Sequence, residues 1–454
     1  MKKILTSVLA IAAVATFSAQ ESVNGVVAAG QTKTLKAGVD YRLTGSLTVE
    51  EGGTLVLEPG TIVKSNGATE AYVVVKQGGK IFSNGTEQQP VIFTSANAQP
   101  KNADWGGIVI AGRAPINIGA PGASGTTEVA NVPYGGSDVA DNSGSITYTK
   151  ILYSGARFNE FKEYNGLSLF GVGNGTVINN VSIINGADDG IEMFGGTVNM
   201  SNIYLQDNED DAFDWTEGWT GTATNVYSVR NLPNVGNRGI EADNNSKKRT
   251  ATPMSNPTLK NITFIGQRTT DNEGAGTNLF RVGSGGTVDN AIFAGWADGV
   301  TLQHDETIVN FTGLNKFTNI KFVDNERNFV IKPNAGGSIV IEPNTGYYTI
   351  NEAATGAGNG LDVPAWAASW ALLGASDVAK FSTSVKVVPS VVSSEFTVVT
   401  DKKVNSVEVV DMAGRSVLKA SGKTVNANGL AKGTYVVKVQ TAEGETATAK
   451  IIKK

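Results

Sequence analysis

The feature that most constrains the fold is an internal repeat of about 22 residues. The sequence NVSI at 180–183 returns as NIYL at 202–205, and DDGIE at 188–192 returns as DDAFD at 210–214. Further copies of an Asn followed by an apolar residue start at Asn225, Asn261, Asn290 and Asn319. A unit of this length has room for about three short strands, which cannot bury an apolar face alone, so the units must stack.

The residues between these markers form short alternating runs that are broken by Gly, Asn or Asp, with almost no helical periodicity. Alternation with period two is typical of strands. Stacked coils would place equivalent residues about 4.8 Å apart, so the recurrent Asn would form a ladder of side-chain hydrogen bonds. A β-propeller is the alternative, but its blades would repeat at about 40–50 residues.

We therefore predict an all-β chain in which residues 20–350 form a right-handed parallel β-helix. About a dozen coils fit this length. The spacing of the repeat markers places insertions at 118–143, 156–166, 232–258 and 266–276.

The composition excludes several kinds of site and partner. The chain has no Cys, which excludes disulfides, thiolate catalysis and cysteine-ligated metals. His304 is the only histidine, so a multi-histidine metal site is excluded, and its polar surroundings favour a solvated side chain. The formal net charge of −5 argues against nucleic acid as the main partner, because that would need a basic face.

The first 19 residues have the pattern of a targeting signal. Lys2 and Lys3 precede a mostly apolar stretch at 4–17, and small residues follow it. This predicts a signal peptide over 1–19. Because no other stretch is apolar over the length needed to cross a bilayer, we expect an exported protein with no transmembrane segment in the mature chain.

Residues 351–380 are expected to be a cap or linker after the β-helix. The segment at 354–360 is rich in small residues, and 364–373 is the most helix-like stretch of the mature chain. Trp366 and Trp370 are four residues apart and would share a helix face. A cap over the open end of the β-helix would protect exposed sheet edges. A sugar-binding aromatic pair is the alternative.

Residues 381–454 contain six or seven short strands separated by turn signals, which predicts a small C-terminal β-sandwich. The sequences VEVVDMAGR at 407–415 and LAKGTYVVKV at 430–439, with the basic tail after them, resemble the C-terminal sorting domain of type IX secretion. The usual Tyr-Pro-Asn-Pro opening is replaced by VVPS at 387–390. The resemblance implies the type IX machinery as a partner, and a protein that is secreted or placed on the cell surface.

Acidic residues repeat in register in the middle of the β-helix. A row of carboxylates with Asn oxygens nearby suits a hard cation, so calcium is the expected counter-ion. The candidate calcium ligands are Asp188, Asp189, Glu192, Asp210, Asp211, Asp214, Glu241 and Asp243. Two alternatives remain open, which are turn chemistry on a solvated edge and catalysis by paired carboxylates.

The β-helix region also resembles known proteins. The stretches WGGIVI at 105–110, ADDGIEMFGGTV at 187–198 and NRGIEADN at 237–244 resemble a group of exported bacterial β-helix proteins of uncertain function with the pectate-lyase-like fold. This resemblance implies the fold and says little about activity. Trp215 and Trp219 flank the acidic region, and we expect them to pack in a coil wall.

Part of the acidic region is similar to polygalacturonase-type hydrolases. Two motifs of that family resemble NGADDG at 185–190 and the Asp pair at 210–211 of this chain. This resemblance implies Asp189, Asp210 and Asp211 as catalytic acids. The Gly-His-Gly and Arg-Ile-Lys motifs of that family are absent here. A polysaccharide lyase would need calcium and a base, for which Arg238 is the candidate.

The sequence thus favours an exported β-helix protein that binds an extracellular glycan or a partner surface and has a calcium-stabilised acidic patch. A polysaccharide-degrading hydrolase or lyase and a structural surface-layer component are the alternatives. Convergence of the carboxylates distinguishes these hypotheses. Calcium ligands would surround one point at about 2.4 Å, whereas a structural role would leave a flat and exposed row.

Overall fold

The structure is a computed structural model, and it describes residues 20–232, 236–267, 276–373, 386–388, 391–400, 403–411, 415–441 and 446–454. The expected signal peptide at 1–19, most of the insertion expected at 266–276, and residues 374–380 of the expected cap or linker lie outside these residues. Within the described part of the chain, no helix is long and apolar enough to cross a membrane.

Strands dominate the region expected to form the β-helix. They are β1 (Gln20–Ser22), β2 (Gly25–Val27), β3 (Thr32–Leu35), β4 (Asp40–Leu43), β5 (Leu47–Val49), β6 (Thr54–Leu57), β7 (Ile62–Ser65), β8 (Val73–Val75), β9 (Lys80–Asn84), β10 (Val91–Ser95), β11 (Ile108–Ala111), β12 (Gly125–Thr126), β13 (Pro133–Tyr134), β14 (Gly144–Leu152), β15 (Leu167–Phe170), β16 (Val177–Ile184), β17 (Ile191–Phe194), β18 (Asn199–Gln206), β19 (Phe213–Thr216), β20 (Thr222–Val229), β21 (Ile240–Ala242), β22 (Thr258–Ile265), β23 (Thr277–Phe280), β24 (Thr287–Ala294), β25 (Asp298–Gln303), β26 (Phe317–Val323), β27 (Arg327–Lys332), β28 (Ile339–Val340) and β29 (Tyr348–Ile350).

Two short helices and a second group of strands complete the described chain. The helices are α1 (Asp305–Ile308) and α2 (Ala365–Ala368). The later strands are β30 (Lys386–Val388), β31 (Val391–Val392), β32 (Glu395–Val399), β33 (Val404–Val410), β34 (Ser416–Ala420), β35 (Thr424–Asn426), β36 (Gly433–Thr441) and β37 (Thr446–Lys453).

Two long sheets confirm the right-handed parallel β-helix. Sheet I has 12 strands in the order β2-β5-β8-β11-β15-β17-β19-β21-β23-β25-β27-β28, and sheet II has 15 strands. Neighbouring strands pair in parallel, apart from the β27–β28 pair at the end of sheet I. In sheet II, β14 pairs with both β9 and β10, so its one bent strand replaces two short strands of the earlier coil. Each coil therefore contributes one strand to sheet I and two strand segments, one on each side of the bend, to sheet II.

The bends of sheet II carry the recurrent Asn. Asn180, Asn202 and Asn225 each interrupt a strand with a φ between 54° and 58°, which Asn tolerates better than most residues. The amide of Asn202 donates to Asn180 Oδ1 at 3.1 Å, and the amide of Asn225 donates to Asn202 Oδ1 at 2.8 Å. Asn261 and Asn290 continue this Asn ladder at 3.1 and 2.9 Å. The expected ladder is therefore present.

The β-helix interior is filled by apolar side chains from every coil. Trp105, Trp215, Trp219 and Trp296 are fully buried. The indole N–H of Trp215 donates to Ser284 Oγ and that of Trp219 donates to the carbonyl of Val198, so both polar groups are satisfied inside the coil. Trp215 and Trp219 are thus core residues, as expected.

One insertion forms a flap on the outer face of sheet I. The flap, residues 113–143, contains the β12–β13 hairpin and contributes Ile116, Val132 and Tyr134 to a second apolar cluster. Phe170 and Phe194 of sheet I lie under it and stack with ring centroids 3.9 Å apart. Sheet I is therefore covered on this part of its outer face, next to the acidic segments.

The segment after the last coil packs along sheet II and does not form the expected cap. Residues 353–373, which we term the strap, run back along the outer face of sheet II instead of covering the open end. Thr355 N donates to Asn290, Tyr227 Oη donates to the carbonyl of Leu361, and Ser182 Oγ donates to the carbonyl of Ala371. Trp370 of the strap is buried in one apolar cluster with Tyr204 and Tyr227 of sheet II, and its ring packs edge-on against Tyr148 at 5.3 Å. The aromatic pair serves packing.

The C-terminal strands form two facing antiparallel sheets, which confirms the expected small sandwich. One sheet has the order β30-β32-β35, and the other has the order β31-β37-β36-β33-β34. Phe396, Val407 and Val437 lie in a separate apolar core between them.

Candidate functional site

The candidate site lies on the outer face of sheet I, where strand register stacks carboxylates. In the strand register, Glu192 of β17 lies beside Asp214 of β19, and Asp214 lies beside Glu241 of β21. Alternate residues of a strand point to opposite faces, so Ile191 and Phe213 enter the core while these three side chains point outward. We term Glu192, Asp214 and Glu241 the acidic column.

A second row of carboxylates lies in the turns that precede these strands. Asp189 Oδ1 accepts the backbone N–H of Asp211 at 2.9 Å, and Asp211 Oδ1 accepts the backbone N–H of Arg238 at 2.7 Å. Each aspartate thus holds the next coil in place. Asp188 and Asp210 stand beside them, and Asp210 is exposed.

These side chains converge into three overlapping groups. Within each group, one oxygen from every carboxylate lies within 4.8 Å of the others. Because calcium binds oxygen at about 2.4 Å, two ligands of one ion lie at most about 4.8 Å apart, so each group is compact enough for one cation. The groups are Asp188, Asp189 and Asp210, then Asp189, Glu192 and Asp214, then Asp211, Asp214 and Glu241.

Hydrogen-bond donors serve the two ends of the acidic column. Asn165 donates its amide to Glu192 Oε2 at 2.7 Å. At the other end, Arg238 and Arg281 both pair with Glu241. Between them, Asp214 is 8% exposed, and its Oδ1 has no hydrogen-bond partner among the residues that the structure describes.

Burial dominates the electrostatics of the cluster. Burial, together with the neighbouring carboxylates, raises the pKa of Asp189, Glu192 and Asp214 well above the ordinary range. Burial and then the charge of Asp210 raise the pKa of Asp188 to about 8, and burial and then Asp211 raise that of Glu241 to about 8. A buried group of like charges is costly, so the cluster favours either bound protons or a bound cation.

Comparison with known protein families places this site in context. A family model described as a pectate-lyase like beta helix domain matches residues 25–371. The chain belongs to the pectate-lyase-like β-helix family. A second family model, described as a secretion system C-terminal sorting domain, matches residues 386–454. This confirms the predicted type IX sorting domain, so the pectate-lyase-like β-helix protein is exported to the cell surface or secreted.

Two solved structures similar to this pectate-lyase-like protein are phage tailspikes. One is tailspike protein gp49 from Acinetobacter baumannii bacteriophage Fri1, a capsular polysaccharide depolymerase, with 11% identity, a TM-score of 0.31, and coverage of 88% of this chain and 73% of that chain. The other is tailspike protein 2 from Escherichia coli O157:H7 bacteriophage CAB120, with 10% identity, a TM-score of 0.23, and coverage of 91% and 64%. No curated protein matches the chain.

The three residues that resemble hydrolase acids differ in exposure. Asp189 and Asp211 of this pectate-lyase-like protein are buried, and each has an oxygen bound to a backbone N–H. Asp210 is exposed. This arrangement favours a positioning role for Asp189 and Asp211, because a general base needs an oxygen that reaches substrate.

The basic and histidine candidates have structural partners. Although burial acts to lower the pKa of Arg238, the carboxylates of Asp211 and Glu241 raise it, so its guanidinium stays charged and is unsuited to act as a base. His304 accepts the backbone N–H of Val282 on Nδ1 at 3.2 Å. Asp243 lies outside the three cation-sized groups and pairs with Arg281 at 2.8 Å.

Sequence reasoning missed three contributors to the site. Arg281 follows β23, and its guanidinium reaches both Glu241 and Asp243. Tyr134 of the flap donates its hydroxyl to Glu217, and Asn165 reaches Glu192. Strand register was the available signal for Arg281, because Ala242 pairs with Phe280, but the insertion before β23 obscured it.

Proposed function

We propose that this exported protein binds an extracellular glycan on the outer face of sheet I, and that one calcium ion held by Asp189, Glu192 and Asp214 stabilises that face. The observation that carries the proposal is the unpartnered Oδ1 of Asp214 inside a group of buried carboxylates.

The other two groups are weaker candidates for the ion. Arg238 and Arg281 already neutralise the group that contains Glu241. The group that contains Asp210 is partly exposed, so water can solvate it. Among the described residues, no Lys or Arg pairs with Asp189, Glu192 or Asp214. Calcium takes oxygen ligands alone and needs several of them, which matches this set.

Three features support glycan as the ligand. The family is pectate-lyase like, the protein is exported, and a polar cavity of about 280 Å³ lies next to the acidic column. The buried, backbone-bound carboxylates of Asp189 and Asp211 favour binding over hydrolysis. A structural surface-layer component would bind neither ion nor glycan.

Calcium titration of the thermal unfolding midpoint tests the ion site. Because an ion that binds the folded state stabilises it by mass action, calcium at 100 times its Kd adds about 2.7 kcal/mol. Asp214→Asn abolishes this gain. In chelator the same variant is more stable than wild type, because one buried like charge is gone. Glu352→Gln, which removes an exposed carboxylate elsewhere, keeps the full calcium response.

A panel of polysaccharides tests the ligand, with retention on each polymer measured in calcium and in chelator. Retention that calcium strengthens supports the proposal. If calcium does not raise the thermal unfolding midpoint of the wild-type protein, the proposed ion site is wrong. A wild-type protein that binds no glycan contradicts the binding function and favours the surface-layer role. Release of oligosaccharides that Asp210→Asn abolishes would identify an enzyme.

A further inference from the structure

The cavity beside the acidic column has a definite place in the fold. Its floor is formed by Thr216, the last residue of β19, and by Glu217, which follows that strand. One wall is formed by the flap residues Asn117 and Ile118, and the other is formed by the loop at 245–252. Two separate insertions thus meet over sheet I and leave a space between them.

A network of buried amides connects the two walls and fixes their relative position. Asn117 donates to Asn244 Oδ1 at 2.7 Å, and Asn245 donates to Asn117 Oδ1 at 3.0 Å. Asn244 is fully buried and also donates to the backbone carbonyl of Ala251 at 3.1 Å. Because these bonds connect the flap to the loop, the cavity is present before any ligand binds.

The floor is held in an unusual conformation. Glu217 has a φ of 57°, which is rare for a residue other than Gly or Asn. Its backbone N–H donates to the carbonyl of Asn244 at 2.8 Å, and its own carbonyl accepts the N–H of Asn117 at 2.9 Å. Strained backbone of this kind concentrates at functional sites.

The charges at the mouth favour an anion. Lys247 and Lys248 line the cavity and are exposed, and neither forms an ion pair with any described residue. Asn245 Oδ1 accepts the backbone N–H of both residues, at 3.0 and 2.9 Å, which fixes the turn that presents them. The Glu217 carboxylate accepts the hydroxyl of Tyr134, so a donor already faces it. Although burial raises the pKa of Glu217, the charge of Lys247 acts to lower it, so the two lysines offset the carboxylate of the floor and place cationic donors at the mouth.

The volume limits the size of that ligand. Pockets for drug-sized molecules measure about 300–1,000 Å³, whereas this cavity measures about 280 Å³. One pyranose ring fits such a space, and several consecutive rings of a polymer do not. The hydroxyls of Thr216, Ser246 and Thr252 line this space and offer donors and acceptors for the ring hydroxyls.

We infer that this cavity binds one acidic sugar residue at an end or branch of a glycan, with its carboxylate facing Lys247 and Lys248. The inference rests on the proposed glycan-binding function and adds to it a place, a charge and a mode of recognition.

Ligand-observed NMR titration of the full chain tests this inference with methyl glucuronide. Methyl glucoside is the neutral match and acetate is the bare carboxylate. We expect the glucuronide to bind at least tenfold more tightly than either. The double variant Lys247→Ala/Lys248→Ala lowers glucuronide affinity at least tenfold and leaves glucoside binding unchanged, because it removes charge-assisted hydrogen bonds. Ser246→Trp, at the mouth, blocks both sugars.

Controls separate this inference from the broader function. Lys36→Ala removes an exposed lysine in an early coil and leaves all affinities unchanged. Acetate that competes as well as glucuronide shows a site for bare anions and overturns the inference. Unchanged glucuronide binding in the double lysine variant, or glycan binding on the panel with none to the glucuronide, also overturns it and leaves the proposed function standing. A wild type that binds no glycan overturns both.

Discussion

The Asn ladder of sheet II and the acidic column of sheet I both place like polar side chains one coil apart. In the ladder, Asn202, Asn225 and Asn261 each donate to the Asn of the coil before and accept from the Asn of the coil after, at 2.8 to 3.1 Å. The ladder ends at Asn290, whose Oδ1 accepts the backbone N–H of Thr355. In the column, Asp214 lies between Glu192 and Glu241, and no donor from the described part of the chain reaches its Oδ1.

The difference shows that stacking like groups is stable only when the group can both donate and accept. An amide does both, whereas an ionised carboxylate only accepts. The ladder therefore satisfies itself over any number of coils. The column needs donors from outside, and Asn165, Arg238 and Arg281 supply them at its two ends.

The dependence of stability on pH gives the largest expected contrast between the two stacks. Carboxyls of the unfolded chain titrate near pH 4, whereas the folded-state pKa of Asp188 is about 8 and burial raises the pKa of Asp189, Glu192 and Asp214 well above the ordinary range. The folded chain thus holds more protons between these values, so in chelator its free energy of unfolding falls as pH rises from about 4 to 8.

Thermal midpoints at pH 5 and pH 8 measure this effect. Each pKa unit corresponds to about 1.4 kcal/mol, so the fall exceeds that of any single substitution below. Saturating calcium reduces the fall, because the ion binds the deprotonated column. A midpoint in chelator that is flat or rises with pH would contradict the buried charge of the column.

Arg281→Ala gives the next largest effect. It leaves Glu241 and Asp243 without their shared counter-ion, which costs about 3 kcal/mol for partly buried pairs. Chemical denaturation in chelator measures the loss. Arg281→Lys keeps the charge but cannot contact Glu241 and Asp243 at the same time, so we expect a loss of stability between those of wild type and Arg281→Ala. A loss under about 0.5 kcal/mol, the range of ordinary surface changes, would show that the pair is solvated.

Asn225→Ala tests the self-sufficiency of the ladder. It removes the bonds to Asn202 and Asn261 and puts Ala at a φ of 58°, which together cost about 2 kcal/mol. Asn225→Gly relieves the backbone and costs about 1 kcal/mol. Denaturation should give the same values in calcium and in chelator. A calcium-dependent cost would mean that the two stacks are coupled.

Asp210→Asn gives the smallest effect. Asp210 is exposed, so its substitution changes the free energy of unfolding by less than about 0.5 kcal/mol. Denaturation with and without calcium checks this expectation. If Asp210→Asn instead lost the calcium-dependent gain in stability, as expected for Asp214→Asn, the ion would have to lie closer to Asp188 and Asp189.

The sequence contained a signal for the position of the strap, in the strands of sheet II that the strap covers. Residues 181–184 are buried on both faces of their strand, including Ser182 and Ile184. A mostly apolar run without polar alternation indicates a strand that is covered on both faces, and the strap is the cover, with Ser182 bonded to it. The sequence of the strap shows that it has an apolar face, but not which surface receives that face, so it was expected at the end of the β-helix.

The repeat, the Asn ladder and the export tail follow from the sequence alone, because coil pairing joins residues at a nearly constant spacing, such as the 22 residues between Asn180 and Asn202. The burial of the acidic column and the cavity at Glu217 depend on insertions that return to sheet I from distant positions. Asn117 and Asn244, for example, are 127 residues apart. No periodicity records such contacts, since they arise from how the insertions pack against the finished coils.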